Sequence, residues 1–238
     1  MERVKFLSRI DLFQGMNTEE LERIEPVTPI HLYKKGTIVV SPHSEQKALY
    51  LVKSGKVRLY KLTDGGRELT IDILGVGNIF GEVGSFTTGT QNIYAVTLEE
   101  SHICTIDHVK FKRIIREKPD LALRFIEMVS VRLKEVEELL EHMAYASVRK
   151  RLLFLLYKLS EKFQADLPLL EGDAPEREWT RLDVELTHQE LASLTGSTRE
   201  TITEILNALA AEGILKKGRL RKPLEIRIDR LKAELTTS

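Results

Sequence analysis

Two short segments in the C-terminal part of the chain carry residues suited to reading the edges of nucleotide bases. The segment Thr187-His188-Gln189-Glu190 has the pattern of a helix capping box, in which the threonine accepts from a backbone N–H and the glutamate reaches back. The segment Ser197-Thr198-Arg199-Glu200 repeats the pattern directly after Gly196. Arginine can bond guanine through two donors, and glutamate can accept from cytosine N4. The segments therefore predict two capped helices, the second of which presents Arg199 and Glu200.

The second of these helices has an apolar face and a polar face. Its apolar residues follow the i, i+3, i+4, i+7 spacing of a buried stripe, namely Ile202, Ile205, Leu206 and Leu209. The outward residues predicted to face base edges are Arg199, Glu200, Thr203 and Asn207. Two capped helices joined by a glycine-containing turn are typical of helix-turn-helix units. A purely structural three-helix fold is the alternative interpretation.

A basic segment follows the second helix. Lys216, Lys217, Arg219, Arg221 and Lys222 fall within seven positions, between two segments typical of a β-ribbon. Such a cluster is either a solvated loop or the wing of a winged helix, where phosphate-binding side chains belong. The full set of predicted phosphate contacts is Thr187, His188, Gln189, Ser197, Thr198, Thr201, Lys216, Lys217, Arg219 and Arg221.

A heptad pattern precedes this region. Its apolar residues alternate spacings of three and four, namely Ile126, Val129, Leu133, Val136, Leu140 and Met143, and charged residues lie between them. This pattern predicts a coiled-coil seam between two copies of the chain. The alternative is that the same stripe packs against the chain's own β-rich region.

The region from Pro29 to about Asp107 predicts short strands separated by turns. The sequence Asp64-Gly65-Gly66 predicts a tight hairpin, because Asp-Gly tolerates positive φ. The predicted fold class is therefore α+β, with a β-rich domain of the sandwich or small-barrel kind, a long dimerisation helix and a C-terminal winged helix-turn-helix domain. The predicted boundaries are 1–115, 116–147 and 148–238.

The composition excludes several classes of protein. The 238 residues exceed one domain of ordinary size, and 42% are hydrophobic. No apolar run approaches the roughly 20 residues of a membrane span, and the N-terminus lacks a signal-peptide pattern, so we expect a cytoplasmic protein without membrane contact. The 36 Lys and Arg balance 36 Asp and Glu, so any basic surface is local.

The sequence offers few candidate residues for metal binding or catalysis. Cys104 is the one cysteine, which excludes an internal disulfide and an iron–sulfur cluster held by several thiolates. His102 and Cys104 share one face of a predicted strand, where a cysteine is more often a core residue than a metal ligand. No catalytic triad, Walker loop or metalloprotease motif occurs, so the prediction is a non-enzyme without metal or cofactor.

The order of these parts, together with Leu186 to Ala192 and Ser197 to Ile202, strongly resembles the Crp/Fnr family of bacterial transcription regulators. The segments Val52 to Val57 and Gly77 to Gly84 resemble the family's β-roll and its phosphate-binding cassette. The resemblance implies that the β-rich domain is a β-roll of the jelly-roll (cupin-like) kind that senses an effector, that the long helix dimerises, and that paired recognition helices read a palindromic site in double-stranded DNA. RNA polymerase is a further expected partner.

The sequence also departs from the cyclic-AMP-binding members of that family. The effector pocket that the resemblance implies consists of Gly81, Glu82, Val83, Asn92, Ile93, Val136 and Glu137. Asn92-Ile93 stands where those members carry Arg-Ser or Arg-Thr, and Val136-Glu137 where they carry Thr-Ser. A phosphodiester anion needs a cation that neither Asn92 nor Ile93 supplies. Glu204 stands where the recognition helix often has arginine.

We therefore expect a homodimeric, sequence-specific transcription regulator that responds to a small molecule of unknown identity other than cyclic AMP. The alternative is a small-molecule-binding β-roll protein whose winged helix mediates contact with another protein.

Overall fold

The computed structural model describes residues 7, 10–24, 28–44, 48–83, 86–88, 92–163, 179–216 and 224–236, and the side chains of residues 83, 86 and 87 lie outside that description. The chain divides into two units, residues 1–137 and 138–238. The strands of the first unit are β1 (Ile30–Tyr33), β2 (Ile38–Val40), β3 (Ala48–Ser54), β4 (Val57–Leu62), β5 (Glu68–Leu74), β6 (Ile79–Val83), β7 (Phe86–Thr87), β8 (Tyr94–Thr97) and β9 (Ser101–Asp107). Its helices are α1 (Thr18–Ile24), α2 (His108–Glu117) and α3 (Asp120–Tyr145), which continues into the second unit.

The strands form two antiparallel sheets with a shared core. One sheet has the order β1-β9-β3-β6-β7 and the other has the order β2-β8-β4-β5. The core between them draws side chains from both sheets, including Tyr50, Phe80 and Ile103 from the first and Leu59 and Ala95 from the second. This arrangement confirms the predicted β-rich N-terminal domain.

Strand β3 is buried along almost its whole length because the sheet that contains it is covered on both faces. Successive side chains of a strand point to opposite faces. Leu49 and Leu51 pack with the helices of the unit, whereas Tyr50 and Val52 pack in the core between the sheets. An uninterrupted apolar run is what such a strand requires.

Glycine is required at two points of this β domain. Gly81 has φ +98°, and a Cβ there would lie 2.3 Å from the carbonyl oxygen of Ala48. In the predicted hairpin between β4 and β5, the positive φ falls on Gly66 at +71°. The hairpin is thus confirmed, with the left-handed residue one position after the Asp-Gly pair.

Helices α2 and α3 cover the outer face of the five-stranded sheet. Asp107 caps α2 by accepting a hydrogen bond of 2.9 Å from the backbone N–H of Lys110. This bond lowers the pKa of the Asp107 carboxyl. Phe111 and Ile114 of α2 and Leu121 and Phe125 of α3 are buried against the sheet.

The second unit contains the end of α3 and a compact helical domain. Its further elements are α4 (Val148–Lys162), β10 (Thr180–Arg181), α5 (His188–Thr195), α6 (Arg199–Ala211), β11 (Leu215–Lys216), β12 (Glu225–Ile226) and α7 (Ile228–Thr236). The three strands pair in the order β10-β12-β11. Two consecutive helices, preceded by one strand and followed by two strands of the same small sheet, are the elements of a winged helix-turn-helix domain, as the sequence predicts.

Within the described part of the chain, no helix combines the length and apolar character needed to cross a bilayer.

Candidate functional site

Helices α5 and α6 form the helix-turn-helix unit, and local sequence explains both ends of α5. Thr187 and Glu190 make the predicted capping box, since the backbone N–H of Glu190 donates to Thr187 Oγ1 at 3.1 Å and the N–H of Thr187 donates to Glu190 Oε2 at 2.7 Å. The helix ends at Gly196, whose left-handed conformation (φ +60°) turns the chain into α6.

The cap of α6 differs by one residue from the repeated pattern in the sequence. Thr198 is the N-cap, and its hydroxyl accepts from the backbone N–H of Thr201 at 3.2 Å. The sequence pattern pairs Ser197 with Glu200, but the left-handed turn at Gly196 brings Ser197 back onto α5, where its N–H donates to the carbonyl of Ala192. Glu200 thus lies in the first turn as an exposed acid and makes no capping bond.

The polar face of α6 is available for contact with a ligand. Arg199, Glu200, Glu204 and Asn207 are exposed, whereas Ile202, Leu206 and Leu209 are buried at 0%, 1% and 0%. An anion in the first turn of a helix is favoured by the helix dipole and a cation is disfavoured. Arg199 therefore gains no stabilising interaction with the helix dipole. Its position favours a role in binding and not in the stability of the fold.

Thr203 departs from the prediction. It is half-buried, its hydroxyl donates to the carbonyl of Arg199 at 2.8 Å, and it shares a hydrogen bond of 2.7 Å with His188 Nδ1. This pair joins the first turn of α5 to the middle of α6. Thr203 therefore holds the two helices together, and its hydroxyl is already used in that role.

The far end of α6 is anchored by an ion pair. Arg149 of α4 pairs with Glu212, the C-cap residue of α6, and also with Glu234 at 3.4 Å. The hydrogen bonds with Glu212 raise the pKa of Arg149. This contact fixes the C-terminal end of α6 against α4, and it uses no residue from the polar face of α6.

The predicted phosphate contacts lie mostly at the two helix starts. Thr187, Gln189 and Thr198 are exposed, whereas His188, Ser197 and Thr201 are half-buried. Lys216 is exposed on β11. Lys217, Arg219, Arg221 and Lys222, at the predicted wing tip, lie outside the described residues.

The heptad stripe of α3 is largely uncovered. Ile126, Leu133 and Leu140 are 59%, 59% and 63% exposed, and Val136 is 40% exposed. Val129 is half-buried against the helix-covered core of the first unit. Within the first unit, Ile126, Leu133 and Val136 are thus exposed, and among the described residues of the stripe only Val129 packs with that unit's own core.

Met143, the last residue of the stripe, lies in another setting. Its Sδ accepts from the Arg151 guanidinium at 3.6 Å, and a Cβ at Gly196 would lie 2.7 Å from its Cε. The side chain therefore packs against the turn between α5 and α6. The neighbouring His142 stacks on Phe154 of α4 with a centroid distance of 3.7 Å. The end of α3 is thus built into the helical domain.

The residues of the implied effector pocket fall in several environments. Gly81 and Glu82 lie on β6, where the carbonyl of Gly81 accepts from the Thr88 hydroxyl at 3.1 Å. Ile93 is 3% exposed within the core between the sheets, and Asn92 is exposed with φ +54°. Val136 and Glu137 are exposed on α3. The side chain of Val83 is outside the described part.

Cys104 and His102 have separate structural roles. Cys104 is 1% exposed in the helix-covered core, and His102 Nδ1 shares a hydrogen bond of 2.9 Å with the Ser54 hydroxyl. Cys104 is thus a core residue, which is the interpretation that the sequence favours.

Comparison with known proteins matches both halves of the chain. A model of the cyclic nucleotide-binding domain matches residues 30–118, and a model of the Crp-like helix-turn-helix domain matches residues 150–233. The chain is 31% identical over 207 residues to the cyclic AMP receptor protein of Thermus thermophilus, covering 87% of this chain and 88% of that protein. The chain belongs to the Crp/Fnr family of transcription regulators.

Other Crp/Fnr proteins match over similar lengths. A CRP-like cAMP-activated global transcriptional regulator of Mycobacterium tuberculosis is 26% identical over 216 residues, which is 89% of this chain and 91% of the relative. The solved structure of a CooA mutant from Carboxydothermus hydrogenoformans superposes with a TM-score of 0.72 at 22% identity, covering 96% of this chain and 95% of that chain. The likeness to CooA supports the α+β fold alone.

Two contacts of this Crp/Fnr protein have no signal in its sequence. Arg132 of α3 pairs with Asp72 of β5 at 3.5 Å, and the Lys216 ammonium lies 4.0 Å from the ring centroid of Trp179. Each pair joins residues that are tens of positions apart. Spacing rules act within one helix or hairpin, so they could not have found these pairs.

Proposed function

We propose that this Crp/Fnr protein is a homodimeric regulator that binds a specific palindromic DNA site through the polar face of α6. The observation that carries the proposal is the first turn of α6, where Arg199 and Glu200 are exposed on a helix that is capped, anchored and buried on its other face. Rigid presentation of two such side chains is what base recognition in the major groove requires.

Base readout in this proposal involves Arg199, Glu200 and Asn207. Arg199 suits guanine, Glu200 suits cytosine N4, and Asn207 suits adenine. Glu204 is exposed on the same helix and favours a half-site unlike that of members with arginine there. Thr203 holds α6, which carries these base-reading residues, against α5 through its hydrogen bond with His188.

Dimerisation occurs along α3 in this proposal. The exposed Ile126, Leu133, Val136 and Leu140 form one apolar stripe, and exposed patches of this kind mark interaction surfaces. The occupant is a second copy of α3, because heptad spacing is complementary to itself. Two linked recognition helices then read half-sites one helical turn apart. The division of labour is sensing in residues 1–115, dimerisation in 116–147 and DNA binding in 148–238, with RNA polymerase as a further partner in the cytoplasm.

DNA binding is tested by site selection with the purified protein, followed by affinity measurements at increasing salt. Phosphate contacts make log K fall steeply with log[salt], with a slope of about −0.9 for each neutralised phosphate. We expect a steep slope and one enriched palindrome. A shallow slope with no enriched sequence would instead favour a winged helix that contacts another protein.

The effector in this proposal is a small molecule other than cyclic AMP. At the positions that follow the cassette, Asn92 is uncharged and Ile93 is buried in apolar surroundings, so neither offers a cation to a phosphodiester. Loss of one partner of a buried charged pair costs about 3–5 kcal/mol, enough to turn micromolar affinity into millimolar.

Cyclic AMP is nevertheless the first ligand to test, because the Thermus relative is named as its receptor. We expect calorimetry to detect no micromolar binding of cyclic AMP or cyclic GMP, and the variant Asn92→Arg to bind the nucleotide more tightly than the parent. Micromolar binding by the parent, together with tighter DNA binding in its presence, would refute the argument from Asn92.

A further inference from the structure

The small sheet of the second unit has one buried face and one charged face. Ile226 of the central strand pairs with Thr180 and Leu215, and Ile226 and Leu215 are 0% and 2% exposed. Glu225 pairs with Arg181 and Lys216, so these three side chains lie on the opposite face. Continuing the register by one residue places Trp179 across from Arg227 on that same charged face.

The indole of Trp179 lies among cations of this face. The Lys216 ammonium is 4.0 Å from the ring centroid, and the Arg227 guanidinium carbon is 5.8 Å from it. Both distances are within the range of a cation–aromatic attraction, for which tryptophan is the strongest side chain.

The Lys216 ammonium contacts this ring although a carboxylate is directly available across the strands. Glu225 is the cross-strand partner of Lys216, yet among the residues that the structure describes no carboxylate lies within ion-pair distance of the ammonium. An aromatic face holds a cation without cancelling its charge, whereas Glu225 would neutralise it. The contact therefore restricts a flexible lysine and leaves its positive charge available to an anion.

We propose that Trp179 is a positioning residue that holds Lys216 in place for a phosphate of the DNA backbone. This inference rests on the proposed function, in which Lys216 contacts phosphate. A lysine side chain loses considerable rotamer freedom when it binds, and a side chain that is already ordered loses less. Trp179 thus strengthens DNA binding without touching DNA.

The contact itself can be measured in solution because Trp179 is the only tryptophan of the chain. We expect Lys216→Ala to change the emission spectrum of the folded protein, since it uncovers the indole. Arg181→Ala is the matched control, because Arg181 is an exposed cation of the same face with no ring contact to Trp179 among the described residues. Equal spectra for the parent and Lys216→Ala would overturn the proposal.

The functional test is a double-mutant cycle on DNA affinity. We expect Trp179→Leu to weaken binding about two- to fivefold, the scale of an exposed cation–aromatic contact. Trp179→Phe retains a ring and should restore most of that loss. In the Lys216→Ala background Trp179→Leu should have no further effect, whereas in the Arg181→Ala background it should keep its full effect. A purely structural role of Trp179 would lower affinity equally in both backgrounds.

The outcomes separate the inference from the function on which it rests. If Lys216→Ala weakens binding and flattens the salt dependence while Trp179→Leu leaves the affinity unchanged, the positioning role is wrong and the phosphate role stands. If Lys216→Ala changes neither affinity nor salt dependence, the phosphate contact and the inference are both wrong. Unfolding curves that match the parent's show that a weakened variant is folded.

Discussion

Helices α3 and α6 each have an apolar stripe whose residues are three and four positions apart, but only the stripe of α6 is buried. On α6, Ile202, Leu206 and Leu209 are almost completely buried, whereas on α3 Ile126 and Leu133 are both 59% exposed. The stripe of α6 finds its partners in α5 and in β11 of the same domain. On α3, Val129 packs with the helix-covered core of the first unit and Met143 packs at the turn beside Gly196, whereas the other four residues of the stripe are exposed. An apolar stripe that the chain itself does not cover indicates a partner outside the chain.

The largest expected effect comes from placing charge on the exposed stripe. We expect the double variant Leu133→Lys, Leu140→Lys to sediment as a monomer and to lose most of its DNA affinity, because each unpaired charge in a dry seam costs about 3–5 kcal/mol. Far-UV circular dichroism should be retained, since both side chains are exposed in the protomer. Glu135→Lys, on the outer side of α3, is the control and should remain dimeric. A double variant that sediments as a dimer would place the interface elsewhere.

Shortening a side chain of the buried α6 stripe should lower the free energy of unfolding of the helical domain and leave dimerisation unchanged. Leu206→Ala is expected to lower the free energy of unfolding of the helical domain by about 2–5 kcal/mol, because it leaves a cavity beside α5. Trp179 lies in the same domain, so its fluorescence during denaturant unfolding measures the change. Glu204→Ala, exposed on the same helix, should stay within about 0.5 kcal/mol of the parent. If the two variants unfold alike, the burial of α6 does not carry the stability of this domain.

The opposite, polar face of α6 should affect recognition and leave stability unchanged. Arg199→Ala is expected to cost about 1–3 kcal/mol at the specific site and to relax preference at one base pair in each half-site. Competition binding with a library of single-base variants measures both effects. Neutralising Lys216 and Lys217 is the contrasting change, and it should weaken binding to all sequences similarly and flatten the salt slope. Unaltered specificity of Arg199→Ala would contradict base readout by this residue.

The smallest expected effect lies at a helix start that belongs to neither stripe. Asp107→Ala removes the cap of α2 and should cost about 0.5–2 kcal/mol of stability. The hydrogen bond from Lys110 lowers the pKa of Asp107 in the folded chain. The carboxylate therefore stabilises the fold above the ordinary Asp pKa of about 3.9, and this contribution disappears as the pH falls through the lowered folded value. Stability curves of parent and variant should thus converge in acid, and a constant difference down to pH 2 would contradict this account.

Features that depend on neighbouring residues were predicted well from the sequence. The capping box of Thr187 and Glu190 and the hairpin around Gly66 both arise from residues within a few positions of each other. The sequence predicts that Thr203 faces base edges, whereas in the structure its hydroxyl bonds to His188 across the helix-turn-helix unit. Helical periodicity predicts the direction in which a side chain points, but not which residue of another helix it contacts.

The sequence by itself determined the order of the parts, the family, the capping box of α5 and the two apolar stripes, because propensity, periodicity and turn chemistry act over short stretches of chain. Only the tertiary structure decided which stripe is covered, that Met143 packs at the turn beside Gly196, and that the Lys216 ammonium lies over the ring of Trp179. These contacts join residues far apart in the chain, and their existence depends on how the sheets and helices of each unit pack.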